Sequence, residues 1–131
     1  MIGGSEGWPM PQLIQSPTQI EAPGNKPKII REFFGQMNTK TANVSIAHML
    51  SPSGWGEPGQ TPEFDEYALV LNGALRIESK DGSYIDVTAG QAVLCSKGEW
   101  VRYSTPGEED TEYVAVCLPA FAMDLVNRDP E

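Results

Sequence analysis

Residues 66–90 read EYALVLNGALRIESKDGSYIDVTAG, and this segment carries the strongest signals of the fold class. Residues 74–79 and 83–88 are predicted strands, separated by a turn at residues 80–82. The Asp-Gly pair in that turn, set between alternating runs, is a strong signal for a β-hairpin. The run 66–71 predicts a strand that ends at Asn-Gly, and Ala89-Gly90 predicts another turn. This part of the chain therefore predicts short antiparallel strands joined by tight turns.

The same pattern continues on both sides of this stretch. Further strands are predicted at residues 28–34, 42–50, 91–95, 100–104 and 112–118, with one short helix around residues 122–127. Residues 1–27 are rich in proline and glycine and have no sustained periodicity, so they are predicted to form an extended arm, either loose or lying across the domain or a partner. Many short strands without a long amphipathic helix predict an all-β sandwich or barrel over residues 28–131.

Composition bounds the class of protein. The chain has 131 residues, enough for one ordinary domain, with 40% hydrophobic and 21% charged residues. Its net charge of −9 disfavours binding to nucleic acid or to an anionic membrane surface, because both are negatively charged. No stretch approaches the roughly 20 apolar residues of a membrane span. Neither a nucleic acid nor a membrane is therefore expected as a partner.

The two cysteines, Cys95 and Cys117, lie far apart in apolar, strand-like runs. Their spacing is not that of a metal site, and buried free thiols are expected. The N-terminus has no basic segment followed by an apolar run, as a secretory signal would have. We therefore expect a cytoplasmic protein.

Several motifs resemble those of the cupin superfamily. Glu66 with Gly73 resembles the end of the first cupin motif, and Gly90 with residues 96–98 resembles the second. More narrowly, several segments resemble the cupin protein of ethanolamine utilisation. They are residues 61–66, Lys97-Gly98, residues 104–106, Tyr113-Val114 and Pro119-Ala120. The resemblance covers roughly residues 42–121 and implies a double-stranded β-helix, or jelly-roll barrel. It says little about function, because cupin barrels support unrelated chemistries.

The resemblance also implies that the usual metal ligands are missing. Gln60 and Pro62 stand where the first motif has histidines, and Val101 stands where the second has one. Of the family's three-His, one-Glu set only Glu66 is kept, and the chain has a single histidine. The ethanolamine-utilisation cupins similarly lack the full set. We therefore expect no metal and no other cofactor.

Glu66 and His48 are the candidate catalytic residues. The resemblance implies that Glu66 points into the barrel, where desolvation would raise the pKa of its carboxyl group. His48 shares a face of its predicted strand with Val44 and Ile46, so the two side chains could form an acid–base pair. The alternatives are a structural hydrogen bond for Glu66 and a core position for His48.

Four residues are candidates for ligand binding. Tyr103 shares strand parity with Val101 and is expected to line the pocket, or else to pack in the core. Trp55 and Trp100 lie in or near turns and are placed at the barrel mouth, with capping of the core as the alternative. Gln60 is interpreted either as a polar pocket residue or as a solvated loop residue.

The strand at residues 66–71 is apolar on both faces, so one face needs a cover outside its own barrel. The arm and a second copy of the chain are the candidate covers, and a homodimer is the simplest closed arrangement.

The first functional hypothesis is a small-molecule-binding cupin, acting as a metal-independent acid–base enzyme on a small polar metabolite such as a sugar acid or carbonyl compound. The alternatives are a non-catalytic ligand sensor or accessory protein of a metabolic operon, and a metal-dependent cupin with a reduced ligand set.

Overall fold

The computed structural model describes residues 10–130, which form nine strands and one helical turn. Their bounds are β1 Thr18–Glu21, β2 Ile29–Phe34, β3 Ser45–Ser51, β4 Asp65–Asn72, β5 Ala74–Ser79, β6 Tyr84–Thr88, β7 Ala92–Cys95, β8 Val101–Ser104, β9 Thr111–Leu118 and α1 Met123–Val126. Strands β2 to β9 and the helix lie where the sequence predicts them, to within a few residues. The all-β prediction is confirmed.

The strands form two antiparallel sheets. The larger sheet has the order β1-β2-β3-β9-β4-β7, and the smaller has the order β6-β5-β8. Strand β9 lies between β3 and β4, so the centre of the larger sheet joins segments that are distant in sequence. The β5–β6 hairpin turns at residues 80–82, as predicted.

The core lies between the two sheets. Side chains at alternate positions of each strand point inward, because successive residues of a strand face opposite sides. The largest group of buried apolar residues comprises Trp55, Ala68, Val70, Leu75, Ile77, Val87, Cys95, Val101, Tyr103, Tyr113 and Ala115. Phe64, Cys117 and Val126 form a smaller group, against which Phe121 and Leu125 pack. Both cysteines are buried free thiols, as expected.

The outer face of the larger sheet is largely apolar and partly exposed. Tyr67, Leu69 and Leu71 of β4 are 42%, 46% and 46% exposed, and Leu94 of β7 is 50% exposed. Residues 10–130 leave this face partly exposed, and its covering by a second copy of the chain stays a prediction.

The predicted arm is only partly described, since residues 1–9 lie outside the described residues. Residues 18–21 form β1, a strand that the sequence did not indicate, which pairs with β2 at the edge of the larger sheet. Pro23 then accepts a hydrogen bond from the Trp55 indole (3.1 Å), and Asn25 bonds to the backbone of Gly56. This part of the arm thus lies across the domain and not over the exposed face of β4. Within residues 10–130, no helix is long and apolar enough to cross a membrane.

Candidate functional site

A cavity of about 60 Å³ lies inside the barrel, between the inner face of the larger sheet and the loops that follow β3 and α1. Most of its lining is apolar. The charged side chains that line it are three carboxylates, Glu32, Glu57 and Glu66, and two cations, Lys28 and Arg128. Glu32 already accepts hydrogen bonds from the backbone N–H groups of residues 37 and 38. A small cavity that combines apolar walls with a few convergent polar groups is the usual form of a ligand site.

Glu66 lies on the inner face of β4, paired in register with Cys117 of β9 and Cys95 of β7. Burial raises the pKa of its carboxyl group to about 7, because the charged form loses hydration. The ammonium of Lys28 opposes this effect, whereas the nearby carboxylate of Glu57 adds to it. The predicted inward orientation of Glu66 is observed.

Lys28 immediately precedes β2, and its amine enters the same cavity. Its Nζ lies 3.9 Å from the ring centroid of Trp55 and 5.0 Å from that of Tyr113, and it donates a hydrogen bond to the Tyr113 hydroxyl. Burial lowers the pKa of this amine to about 8, although Glu57 and Glu66 favour its charged form. Lys28 and Glu66 therefore influence each other's protonation.

Glu57 and Arg128 close one side of the cavity from two loops. The Nε of Arg128 lies 3.8 Å from Oε2 of Glu57, which brings opposite charges together but is too long for a hydrogen bond. This buried Nε consequently has no hydrogen-bond acceptor. Burial raises the pKa of Glu57, and the two cations lower it.

Gln60 and Tyr103, two predicted ligand-binding residues, both line the cavity. The backbone of Gln60 pairs with Val101, and its side chain is buried. The amide oxygen, Oε1, has no hydrogen-bond partner. Tyr103 is buried on the inner face of β8, and burial holds the pKa of its hydroxyl well above the usual range. An unpaired acceptor inside a cavity is costly unless a bound group satisfies it.

Trp55 lines the cavity but is 1% exposed, so it belongs to the core and not to the rim of the mouth. Its ring forms the wall against which the Lys28 amine packs. The prediction that Trp55 lies at the barrel mouth is therefore wrong, but its predicted contact with the pocket is observed.

His48 is not in the cavity. On β3 the inner face carries Ser45, Ala47 and Met49, so His48 points outward, where its Nε2 lies 2.6 Å from Oε2 of Glu112. The expected Glu66–His48 pair is not formed, because strand parity places His48 on the opposite face of the sheet.

Trp100 is also outside the cavity. Its indole N–H donates to Oδ2 of Asp129 (2.7 Å), and its ring packs closely over Gly59. The ring lines a wide, solvent-exposed groove along the smaller sheet. The predicted role of Trp100 at the barrel mouth is therefore corrected.

The sequence interpretation missed Lys28, Glu57, Tyr113 and Arg128. Strand parity could have found Lys28, because it alternates with the inward-facing Ile30 and Glu32 of β2. Parity with Ala115 and Cys117 likewise identifies Tyr113. Glu57 and Arg128 lie in loops, where no periodicity indicates which side chains face inward.

The donor set does not fit the metal site usual for cupins. Gln60, Pro62 and Val101 supply no imidazole, and the single histidine faces outward. Among residues 10–130, no group of three or more His, Cys, Asp or Glu side chains is arranged to hold a metal ion. No step of the chemistry is therefore assigned to a metal.

The sheet topology is that of the cupin-type fold, a double-stranded β-helix. The chain is similar to the Clostridium difficile EutQ protein, with a TM-score of 0.57 and 19% identity over 72% of this chain and 64% of that one. It is also similar to the polyketide cyclase RemF from Streptomyces resistomycificus, with a TM-score of 0.73 and 17% identity over 93% of this chain and 87% of that one. The predicted resemblance to the ethanolamine-utilisation cupin is confirmed at the level of fold.

One curated protein is similar in sequence. The chain is 40% identical over 107 residues to a protein of Myxococcus xanthus named endoribonuclease YbeY. The match includes 82% of this chain but only 36% of the length of that protein. The name describes the whole of the longer protein. No protein-family profile matches this sequence.

Proposed function

We propose that this chain is a metal-independent cupin that binds a small polar metabolite in the barrel cavity and exchanges protons with it. One observation carries the proposal: the cavity combines the carboxyl group of Glu66 and the amine of Lys28 with two buried polar atoms that lack partners. Those atoms are Oε1 of Gln60, an acceptor, and Nε of Arg128, a donor. A ligand that supplies both a donor and an acceptor would satisfy them.

The cavity limits the size and chemistry of this ligand. A volume of about 60 Å³ corresponds to roughly four to six water-sized spheres at 10–15 Å³ each. A hydroxyl group could donate to the Gln60 amide, while a carbonyl or carboxylate oxygen could accept from Arg128 or Lys28. Small hydroxy acids and hydroxy aldehydes have this combination of groups, whereas simple keto acids supply the acceptor oxygens alone.

Glu66 is the proposed proton-exchanging group. A carboxyl group with a pKa of about 7 is half protonated near neutral pH and is therefore able both to donate and to accept a proton. Lys28 takes the place that the sequence interpretation gave to His48, because its amine reaches the cavity and is electrostatically coupled to Glu66. This arrangement suits proton removal from a carbon next to a carbonyl group.

Ligand-detected NMR with a panel of small hydroxy and keto acids tests the proposal. Glu66→Gln should weaken binding about tenfold, in keeping with the loss of a charge-assisted hydrogen bond. Glu78→Gln is the matched control, because Glu78 pairs with Arg102 on the outside of the smaller sheet. Equal binding by both variants, or no binding by the wild-type protein, would contradict the proposal.

A ligand-sensing or accessory role is the second candidate. It is favoured by the alignment with about a third of a longer curated protein, since a cupin domain in such a protein could regulate a neighbouring activity. Proton exchange separates the two candidates. Deuterium incorporation into a bound keto acid in heavy water, lost in Glu66→Gln, supports an enzyme, whereas binding without exchange supports a sensor.

A homodimer belongs to the same proposal. The apolar outer face of β4 and β7 continues onto β9 and β3, where the polar side chains His48 and Glu112 pair with each other. A second copy would present the same apolar face, which makes the contact self-complementary. The net charge of −9 argues against nucleic acid as a partner, and the two free thiols are compatible with the reducing cytoplasm.

A further inference from the structure

We propose that Lys28 binds its ligand covalently: the amine condenses with the carbonyl carbon of a small aldehyde or ketone in the cavity to form an imine. The inference rests on the proposed function, because it requires that the ligand occupy this cavity. It adds the substrate class, a carbonyl compound, and names Lys28 as the residue that takes part in bond formation.

The position of the amine carries the argument. Lys28 precedes β2, whose register against β3 fixes where the side chain enters the barrel. Its Nζ packs against the Trp55 ring and bonds to the Tyr113 hydroxyl, so the nucleophile is held at a defined point. Nucleophiles held in place react faster than mobile ones, because less orientational freedom is lost on reaching the transition state.

The other lysines of residues 10–130 do not line the cavity. Lys26 donates to the Ser53 carbonyl (2.8 Å) and Lys40 donates to the Met37 carbonyl (3.4 Å), both at exposed positions. In the described part of the chain, Lys28 is the lysine that lines the cavity. Burial also lowers the pKa of its amine to about 8, which provides far more of the neutral, nucleophilic form near neutral pH than an exposed lysine has.

The reaction balances within the cavity. The nitrogen lone pair of Lys28 attacks the carbonyl carbon, the π electrons move to oxygen, and one proton passes from nitrogen to oxygen to form a carbinolamine. The C–O bond then breaks, the second proton leaves nitrogen, and the oxygen departs as water. No oxidant or reductant is required. The Tyr113 hydroxyl contacts the amine, and the Glu66 carboxyl group lines the same cavity, so both can carry protons between these atoms.

The unpaired atoms define the rest of the ligand. Nε of Arg128 suits a carboxylate or hydroxyl oxygen, and Oε1 of Gln60 suits a hydroxyl hydrogen. With a cavity of about 60 Å³, a carbonyl compound of two or three carbons with a neighbouring hydroxyl or carboxylate fits best.

Reductive trapping tests this inference on the full chain. The protein is incubated with glycolaldehyde or pyruvate in the presence of cyanoborohydride, which reduces an imine to a stable secondary amine, and labelling is quantified by peptide mass mapping. We expect Lys28 to be labelled at least roughly tenfold faster than Lys26, because its amine is held in the cavity beside the probe and burial lowers its pKa. Lys28→Arg should remove this label, and Lys26→Arg, the matched control, should retain it. Unfolding in urea should abolish the preference.

Labelling of Lys28 no faster than that of Lys26 in the folded wild-type protein would overturn the inference, whether or not the Lys28 variant folds. NMR titration with the same probes separates this failure from failure of the proposed function. Glu66-dependent binding without trapping would contradict only the imine proposal. The absence of both binding and trapping would contradict the proposed function as well.

Discussion

The amine of Lys28 lies 3.9 Å from the ring centroid of Trp55 and donates a hydrogen bond to the Tyr113 hydroxyl. The aromatic face attracts the charged form of the amine, while burial disfavours it. The carboxylates of Glu57 and Glu66 line the same cavity and partly compensate for the positive charge. The ionisation of these side chains therefore changes on folding, and it can be measured as a pH dependence of the free energy of unfolding.

The pH dependence of stability should reflect the two shifted groups. Glu66 has a folded pKa of about 7, above its unfolded value of 4.5, so the folded state binds more protons and the free energy of unfolding falls as pH rises from 4.5 to 7. Lys28 has a folded pKa of about 8, below its unfolded value of 10.5, so the unfolded state binds more protons and stability rises from pH 8 to 10.5. We expect the contribution of these two groups to the free energy of unfolding to be lowest between pH 7 and 8.

Urea unfolding of the wild type and two variants across pH 4 to 10.5 measures these contributions. Glu66→Gln should reduce the decrease in the free energy of unfolding between pH 4.5 and 7. It should also add on the order of 2 kcal/mol of stability at pH 7.5, because a neutral amide avoids the cost of ionisation in the cavity. Lys28→Met should reduce the increase in the free energy of unfolding between pH 8 and 10.5. A Glu66→Gln curve parallel to that of the wild type from pH 4.5 to 7 would show that Glu66 is not desolvated.

Removing the unpaired acceptor should separate stability from binding. Gln60→Leu keeps the backbone pairing with Val101 but deletes the amide, whose Oε1 has no partner. We expect stability to rise by about 1 kcal/mol while affinity for hydroxy or keto acids falls. Thermal unfolding and NMR titration measure the two effects. Gln91→Leu is the contrast, because the Gln91 oxygen accepts from Thr88 and its loss should be destabilising. A loss of stability without loss of affinity in Gln60→Leu would favour a structural role.

Metal content should be low. Because Gln60, Pro62 and Val101 stand at the usual ligand positions, we expect protein purified without added metal to contain well under one equivalent of zinc, iron, manganese or nickel. Elemental analysis and unfolding with and without a chelator measure this. A stoichiometric metal that is lost in Glu66→Ala would contradict the prediction and support the metal-dependent alternative.

The assembly should be a homodimer held together by the apolar outer face of the larger sheet. Leu69→Glu places a charge in the middle of that face and should shift the protein to monomers, because a buried unpaired charge opposes association. Light scattering at micromolar concentrations measures the mass. Ile85→Glu is the control, since Ile85 is 54% exposed on the smaller sheet. A monomeric wild-type protein would refute the dimer.

Local signals in the sequence were sufficient for most of the fold. The Asp-Gly turn at residues 81–82, together with strand alternation, predicts the β5–β6 hairpin, because backbone preference and polarity act over a few residues. Parity from Val101 correctly turns Tyr103 inward. Strand β1 was missed because it forms by pairing at the edge of β2, and nothing within residues 18–21 requires that pairing.

The strand and turn pattern therefore predicted an all-β fold. The resemblance to cupins added the barrel, the inward position of Glu66 and the absence of the usual metal-binding histidines. The charged groups that accompany Glu66 could be identified only from the folded chain. Parity within β3 could not indicate which of its two faces was the inner one, and pairing with β9 directed His48 outward toward Glu112. Lys28 and Arg128 come from opposite ends of the chain and meet Glu66 only when the barrel closes. Electrostatic coupling depends on distance in space, and separation along the sequence does not reveal it.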